Sequence, residues 1–145
     1  MKRVVTRSPE ETRELGREFA NTLHPGDVVA LVGELGTGKT LFASGVCRGL
    51  GAAGHTGSPT FTLIHEYPAP FGAVIHVDLY RTGSRREIRE LALEDYYSDR
   101  TICLIEWAER AEGLLPARHL TVRIAYGTGD TERVFEMPET EEARR

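Results

Sequence analysis

A glycine-rich segment constrains this chain more than any other part of its sequence. The apolar run 28–32 ends at Gly33, and the residues Gly-Glu-Leu-Gly-Thr-Gly-Lys-Thr of 33–40 follow directly, before a stretch with helical spacing. Strand, glycine loop, lysine, hydroxyl residue and helix in this order predict a phosphate-binding P-loop. The residues predicted to contact the phosphates are Gly33, Glu34, Leu35, Gly36, Thr37, Gly38, Lys39, Thr40 and Leu41.

Each residue type in this loop has a physical role. Gly33, Gly36 and Gly38 allow positive φ and a close approach of backbone N–H groups to phosphate oxygens. The N-terminus of the following helix adds unpaired N–H donors and a positive dipole end. Lys39 supplies a mobile charge for the β- and γ-phosphates, and Thr40 offers a hydroxyl to Mg²⁺. The segment therefore predicts a nucleotide and Mg²⁺ as cofactors.

The composition limits which other classes of protein this chain can belong to. The 145 residues are 40% apolar and carry a net charge of −4, which fits one globular domain spanning 1–145 without a basic field for nucleic acid or membrane. The sequence shows neither a run long enough to span a bilayer nor a signal-peptide pattern. Cys47 and Cys103 lie within regular patterns, which favours buried reduced thiols and a cytoplasmic location.

The order of predicted elements indicates an α/β fold of the P-loop NTPase type. We expect a central, mostly parallel sheet flanked by helices, with antiparallel hairpins and a frayed tail over 138–145. Ser8 and Ser84 each precede a glutamate by three residues, a capping-box pattern that starts a helix. The predicted strands are 28–32, 61–67, 73–78, 102–105, 119–126 and 131–137, and the predicted helices begin at Ser8, near Lys39, at Ser84 and at Ala108, the last ending before Pro116.

Two acidic residues follow apolar strands and are candidates for metal and water chemistry. Asp78 ends the run 73–78, and Glu106 follows the run 102–105. A P-loop needs a second acidic group near Mg²⁺, normally at the end of a neighbouring strand. A strand-terminal acid is often only a solvated loop residue, but beside a P-loop both predict a metal or water-shell role. Glu106 is favoured as the metal ligand.

Other candidates admit two interpretations. Thr60 precedes a strand where a switch threonine would meet the γ-phosphate, although Ser-Pro-Thr is also ordinary turn chemistry. Trp107 follows Glu106 and is either a core aromatic or a residue at the ligand-binding end of the sheet. The histidines show no metal-ligand spacing. A phosphate or RNA clamp and a solvated helix face both remain open for Arg81, Arg85, Arg86 and Arg89.

Four motifs taken together resemble the TsaE family, also called YjeE, the small bacterial P-loop ATPases of tRNA threonylcarbamoyladenosine formation. They are the loop 33–40, the run Ser-Pro-Thr-Phe at 58–61, the pattern His-x-Asp-x-Tyr-Arg at 76–81 and the pair Glu-Trp at 106–107. With the segment 94–96, the resemblance spans roughly residues 10 to 110. Glu34 and Thr37 stand where Asp and Ala are more usual in the family, and neither supplies a phosphate-holding group.

The resemblance implies a role for each matched residue. Lys39 and Thr40 would hold phosphate and Mg²⁺, and Thr60 would sense the γ-phosphate. Asp78 and Glu106 would serve the metal and the attacking water, while Trp107 would be a functional surface residue, with Tyr80 and Arg81 near a partner contact. The implied protein is an Mg²⁺-dependent ATPase, weak alone and stimulated by the TsaD and TsaB proteins, which meets tRNA only through that complex.

Three other functions fit the sequence less well. A GTPase switch should carry Asn-Lys-x-Asp and an Asp-x-x-Gly after the second strand, and neither motif occurs in the sequence. A small-molecule kinase needs an acceptor pocket and an arginine-rich lid, for which the helix from Ser84 is the only candidate. A nucleic-acid-binding module is disfavoured by the acidic balance and the lack of interleaved aromatic and basic residues.

Overall fold

The computed structural model describes residues 1–54 and 63–139, whose strands join a single sheet. Three α-helices and two 3₁₀ turns, Leu93–Tyr96 and Ala108–Ala111, complete the described part of the chain. The strands are β1 Lys2–Thr6, β2 Val28–Gly33, β3 Ile64–Ala69, β4 Gly72–Asp78, β5 Thr101–Glu106, β6 Leu120–Tyr126 and β7 Arg133–Met137, and the helices are α1 Pro9–Ala20, α2 Lys39–Gly49 and α3 Arg85–Glu90.

The sheet is mixed, with a parallel centre and antiparallel edges. Its strand order is β1-β7-β6-β2-β5-β4-β3. The pairs β2–β5, β2–β6 and β4–β5 are parallel, whereas β1–β7, β6–β7 and β3–β4 are antiparallel. The α/β class and both hairpins are therefore confirmed. The prediction of a mostly parallel sheet is correct only for the central strands, because antiparallel strands extend the sheet on both sides.

Strand β1 was missed by the sequence analysis. Its first residues, Lys2 and Arg3, are exposed, and Val4 and Val5 are half-buried, so the segment lacks a clear alternation. It is a strand because β7 offers an antiparallel partner, with Val4 opposite Phe135. Edge strands of this kind are specified by pairing more than by their own propensity.

Two layers cover the sheet, and alternate residues of β2 divide between them. Val29 and Leu31 face α1 and α2, and Val28 and Ala30 face α3 and the 3₁₀ turns. The rings of Phe42 and Phe135 lie 5.3 Å apart in the first layer. Both cysteines are buried and unpaired, as predicted, and burial raises the pKa of Cys47 and of Cys103 to about 12.

Helices α1 and α2 meet backbone to backbone through glycines. A Cβ added to Gly45 would lie 2.0 Å from the carbonyl oxygen of Arg13, and one added to Gly16 would lie 2.3 Å from that of Phe42. Neither distance leaves room for a methyl group. The absence of a side chain at these positions therefore sets how closely the helix of the glycine loop packs on α1.

Both predicted helix starts are confirmed by their caps. The hydroxyl oxygens of Ser8 and Ser84 accept hydrogen bonds from the backbone N–H groups of Glu11 and Glu87, each at 3.1 Å. The carboxylates of these glutamates accept from the N–H groups of Arg7 and Gly83, the residues just before the two caps, at 2.9 and 2.8 Å. These local signals are satisfied within one helical turn, which explains why they can be recognised in sequence.

Several element boundaries differ from the predictions, and three of the differences have a local cause in the structure. Helix α3 ends at Glu90 because Ala92 adopts a φ of +51°, and a 3₁₀ turn replaces the remainder. The predicted helix 108–115 is a 3₁₀ turn over Ala108–Ala111, followed by Gly113 at a φ of +82°. Pro68 belongs to β3 rather than to the turn, which is tolerated because β3 is an edge strand.

Two further predictions fall partly outside the described residues. The first two residues of the predicted strand 61–67 lie there, as does most of the predicted frayed tail, since the described chain ends at residue 139. Within the described ranges, none of the helices combines the length and apolar character needed to cross a membrane.

Candidate functional site

The glycine loop connects the buried strand β2 to helix α2. Gly36 and Gly38 have φ of +81° and +106°, as predicted for this loop. The prediction of positive φ at Gly33 is wrong. A side chain is excluded there because a Cβ would lie 2.5 Å from the carbonyl oxygen of Ile124 on the adjacent strand. Gly38 caps α2 without a side-chain acceptor, which leaves the first N–H groups of the helix available to an anion.

Thr37 closes the loop from within. Its side chain is fully buried, and its hydroxyl donates a 2.8 Å hydrogen bond to the carbonyl oxygen of Glu34. The backbone N–H of Thr37 donates to the same oxygen at 3.3 Å. Thr37, one of the two residues that depart from the family pattern, therefore stabilises the turn of the loop. The side chain of the other, Glu34, is exposed.

Lys39 lies at the centre of the site with its ammonium group held by the loop. Nζ donates to the carbonyl oxygens of Gly33 and Glu34, the latter at 2.9 Å, and lies 4.0 Å from the centre of the Trp107 ring. Burial lowers the pKa of Lys39, and surrounding carboxylates, first Glu109, oppose that change. The ammonium group is thus poorly hydrated and can exchange its carbonyl partners for a stronger anion.

The two acidic candidates are brought to one edge of the sheet. Asp78 and Glu106 are register partners at the ends of the parallel strands β4 and β5. Glu106 is only 2% exposed, and its Oε1 accepts a 2.9 Å hydrogen bond from the Thr40 hydroxyl. Asp78 is half-buried, and its Oδ1 accepts from the N–H of Tyr80 at 2.9 Å.

His76 is a site residue to which the sequence analysis gave no role. It is completely buried on β4, and its Nε2 lies 2.6 Å from Oε2 of Glu106. The contact fixes one carboxylate oxygen while the other faces Thr40. A signal was present in the sequence: His76 precedes Asp78 by two residues in a strand, so both side chains emerge on the same face.

Trp107 begins the turn after β5 in an unusual conformation. Its φ is +59°, a left-handed value that non-glycine residues seldom adopt. Its ring is half-buried, lies 5.0 Å from the ring of Tyr80, and has the Arg110 guanidinium 5.3 Å from its centre. This places the indole beside the ammonium group of Lys39 rather than in the interior of the core.

These residues form one cleft of about 310 Å³. Among predicted site residues, the loop supplies most of the lining and the strand ends supply the two acids. The lining residues are Leu35, Gly36, Gly38, Lys39, Thr40, Leu41, Asp78, Tyr80, Glu106 and Trp107. Gly33, Glu34 and Thr37 shape the loop behind this lining, and Thr60 lies outside the described residues.

The arginines proposed as a clamp or lid are distributed over the surface. Arg81 is exposed outside the lining of the cleft, Arg85 donates to the carbonyl oxygen of Glu112, and Arg86 pairs with Glu90 at 3.3 Å. Arg89 lies exposed in the last turn of α3. In the described chain these contacts favour the solvated-surface interpretation over a clamp on the cleft.

The donor set fits a phosphate group together with Mg²⁺. A helix N-terminus and a lysine suit phosphate oxygens, and the hard oxygens of Thr40, Glu106 and Asp78 suit Mg²⁺, which takes few protein carboxylates and keeps several waters. The fold and site together define the P-loop class of α/β proteins: a glycine loop joins a central parallel strand to a helix, and acidic residues end the neighbouring strands.

Comparison with known proteins identifies the family. Residues 6–135 match the family model described as Threonylcarbamoyl adenosine biosynthesis protein TsaE, and the chain belongs to this family. A relative from Bacillus subtilis, named tRNA threonylcarbamoyladenosine biosynthesis protein TsaE, is 41% identical over 128 residues, covering 88% of this chain and 79% of the relative. The protein of the same name from Haemophilus influenzae is 38% identical over 116 residues, covering 77% and 73%.

A solved structure supports the same assignment. The crystal structure of YdiB from Bacillus subtilis superimposes with a TM-score of 0.74 at 36% sequence identity. The match covers 92% of this chain and 82% of YdiB. The resemblance drawn from the four motifs is therefore confirmed at the level of the family and of the fold.

Proposed function

We propose that this chain is a Mg²⁺-dependent ATPase that assists formation of the threonylcarbamoyl group on the adenosine beside the tRNA anticodon. The observation that carries the proposal is the cleft in which Lys39 and the hydrogen-bonded pair Thr40–Glu106 face the same space. The names of the relatives support the tRNA modification as the process. TsaD and TsaB are the proposed partners, and tRNA is met through their complex.

Different residues of the cleft are assigned to phosphate binding and to activation of the attacking water. The N-terminus of α2 and Lys39 would hold the β- and γ-phosphates, and Thr40 with Glu106 would hold the metal. When bound, Mg²⁺ neutralises charge on the phosphate oxygens. His76 keeps the Glu106 carboxylate oriented toward Thr40, since it engages the opposite oxygen. Asp78, the register partner of Glu106 at the ends of β4 and β5, would orient the attacking water.

The two acids are expected to differ in their effects. Glu106→Gln preserves shape but removes charge, so the Mg²⁺ concentration for half-maximal turnover should rise several-fold, more than nucleotide affinity falls. Asp78→Asn should lower turnover at least tenfold with nucleotide binding nearly intact. Steady-state phosphate release across a Mg²⁺ titration, with calorimetry of nucleotide binding, measures both.

Glu109→Gln is the matched control for the acids. Glu109 also acts electrostatically on Lys39, yet it is exposed and does not line the cleft. Its substitution should leave both the Mg²⁺ requirement and the maximal rate within twofold or so of wild type. Unchanged turnover in Glu106→Gln and Asp78→Asn alike would refute the assignment of these acids.

The isolated chain is expected to be a slow ATPase that its partners accelerate. A cation aimed at the developing charge is worth roughly 10³–10⁵ in rate for P-loop enzymes. In the described residues, no arginine lines the cleft, and Arg110, the nearest to Trp107, donates to the carbonyl oxygens of Tyr80 and Thr82. We therefore expect slow hydrolysis that rises when TsaD and TsaB are added.

Trp107 variants separate docking from catalysis. Trp107→Ala should reduce the partner-dependent increase several-fold while changing the basal rate less, and Trp107→Phe should retain most of it. Rapid turnover by the isolated chain that ignores both proteins would contradict the accessory role. Transfer of phosphate from ATP to a supplied metabolite would instead favour the alternative, a small-molecule kinase using the same loop.

A further inference from the structure

The C-terminal hairpin reaches the glycine loop through Tyr126, the last residue of β6. The hydroxyl of Tyr126 donates a hydrogen bond to the carbonyl oxygen of Leu35, 91 residues away in sequence. A Cβ built on Gly36 would lie 2.8 Å from the same hydroxyl. The phenol group therefore packs directly on the peptide unit that joins Leu35 to Gly36.

This contact fixes the orientation of the peptide that joins Leu35 to Gly36. In a trans peptide the C=O and N–H groups point in opposite directions across a rigid plane. Because the Leu35 carbonyl is held toward Tyr126, the Gly36 N–H is directed away from the hairpin, and Leu35 and Gly36 both line the cleft. Glycine at positive φ can rotate this peptide readily, so an external hydrogen bond is needed to keep one orientation.

The hairpin is itself well supported. The N–H of Gly127 donates to the carbonyl oxygen of Glu132 at 2.9 Å, and the carboxylate of Glu132 accepts from the N–H and the hydroxyl of Thr128, each at 3.1 Å. These hydrogen bonds from Thr128 lower the pKa of Glu132.

Arg133 contacts both the turn of the hairpin and the ring of Tyr126. Its Nη1 donates to the carbonyl oxygens of Asp130 and Glu132, at 2.9 and 3.0 Å. The guanidinium group lies 4.8 Å from the centre of the Tyr126 ring. Tyr126 is 48% exposed and makes little contribution to the core, so its contacts serve the loop more than the fold.

We infer that Tyr126 is a positioning residue that holds the Leu35–Gly36 peptide in the orientation that binds phosphate, and that the hydrogen bonds of the β6–β7 turn help to hold Tyr126 in place. The inference rests on the proposed function for its consequence, which is nucleotide affinity. The constraint that Tyr126 places on the loop does not depend on a bound nucleotide.

Tyr126→Phe tests the constraint in the nucleotide-free protein. The variant removes one hydroxyl group and should lower the melting temperature by no more than about 4 °C, since it loses a single hydrogen bond. Hydrogen–deuterium exchange of the peptide spanning 33–40 should become about three- to tenfold faster, as expected for loss of one hydrogen bond. Tyr97→Phe is the matched control because the Tyr97 hydroxyl has no hydrogen-bond partner in the described residues. Unchanged exchange in Tyr126→Phe would overturn the inference.

Nucleotide titration tests the consequence. The ADP dissociation constant of Tyr126→Phe should rise about three- to tenfold, whereas kcat at saturating ATP should change less than about twofold because the acids are untouched. A fall in kcat with unchanged affinity would overturn the positioning role. If exchange rises but neither the wild-type protein nor the variant binds ADP, the constraint on the loop stands and the proposed function fails.

Discussion

Replacing Lys39 with alanine is expected to lower the affinity for ATP at least tenfold. A charge-assisted contact to phosphate is worth roughly 1.5–3 kcal/mol, and 1.4 kcal/mol corresponds to a factor of ten. Lys39 is the cation that lines the cleft in the described structure, so no neighbour there would replace it. Calorimetric titration with Mg²⁺–ATP measures the effect directly.

The chain offers a natural control for this variant. Lys2 is the only other lysine in the sequence, and it is exposed at the start of β1. Lys2→Ala removes the same charge far from the loop and should leave ATP affinity unchanged. Lys39→Ala should also fold normally, since its ammonium group is desolvated by burial. Equal affinities in Lys39→Ala and the wild-type protein would refute the phosphate site.

Gly45→Ala is expected to produce the largest loss of stability. The added Cβ would lie 2.0 Å from the carbonyl oxygen of Arg13 and 2.9 Å from its carbonyl carbon. These are backbone atoms, so α1 and α2 must separate to accommodate the methyl group. Overpacking of this kind costs typically 1–3 kcal/mol. At the upper end, and with about 2–4 °C per kcal/mol for a chain near this size, the melting temperature should fall by roughly 6–12 °C.

Ser44→Ala is the appropriate comparison for the glycine variant. Ser44 precedes Gly45 in α2 and is only half-buried, so the change to alanine removes a hydroxyl without adding volume. Its melting temperature should stay within about 2 °C of wild type, as is usual for substitutions away from tightly packed contacts. Thermal unfolding followed by circular dichroism distinguishes the two. A Gly45→Ala protein as stable as Ser44→Ala would show that the helices can separate freely.

The features of this protein that the sequence alone predicts are those whose interactions join residues close together in the chain. The glycine loop, the capping boxes at Ser8 and Ser84 and the two-sided burial of β5 are each recognisable within a dozen residues, because their hydrogen bonds and periodicity close locally. The placement of Asp78 and Glu106 also followed from sequence, since carboxyl ends of parallel strands meet at one edge.

Tertiary structure decided the features whose partners are distant along the chain. Pairing with β7 makes β1 a strand, and the approach of α1 excludes a side chain at Gly45. The contact between His76 and Glu106 spans 30 residues, and that between Leu35 and Tyr126 spans 91. No local periodicity encodes such contacts, because each depends on which elements the sheet order brings together. The glycine loop can therefore be recognised from the sequence alone, whereas the groups that hold it in shape are determined by the fold.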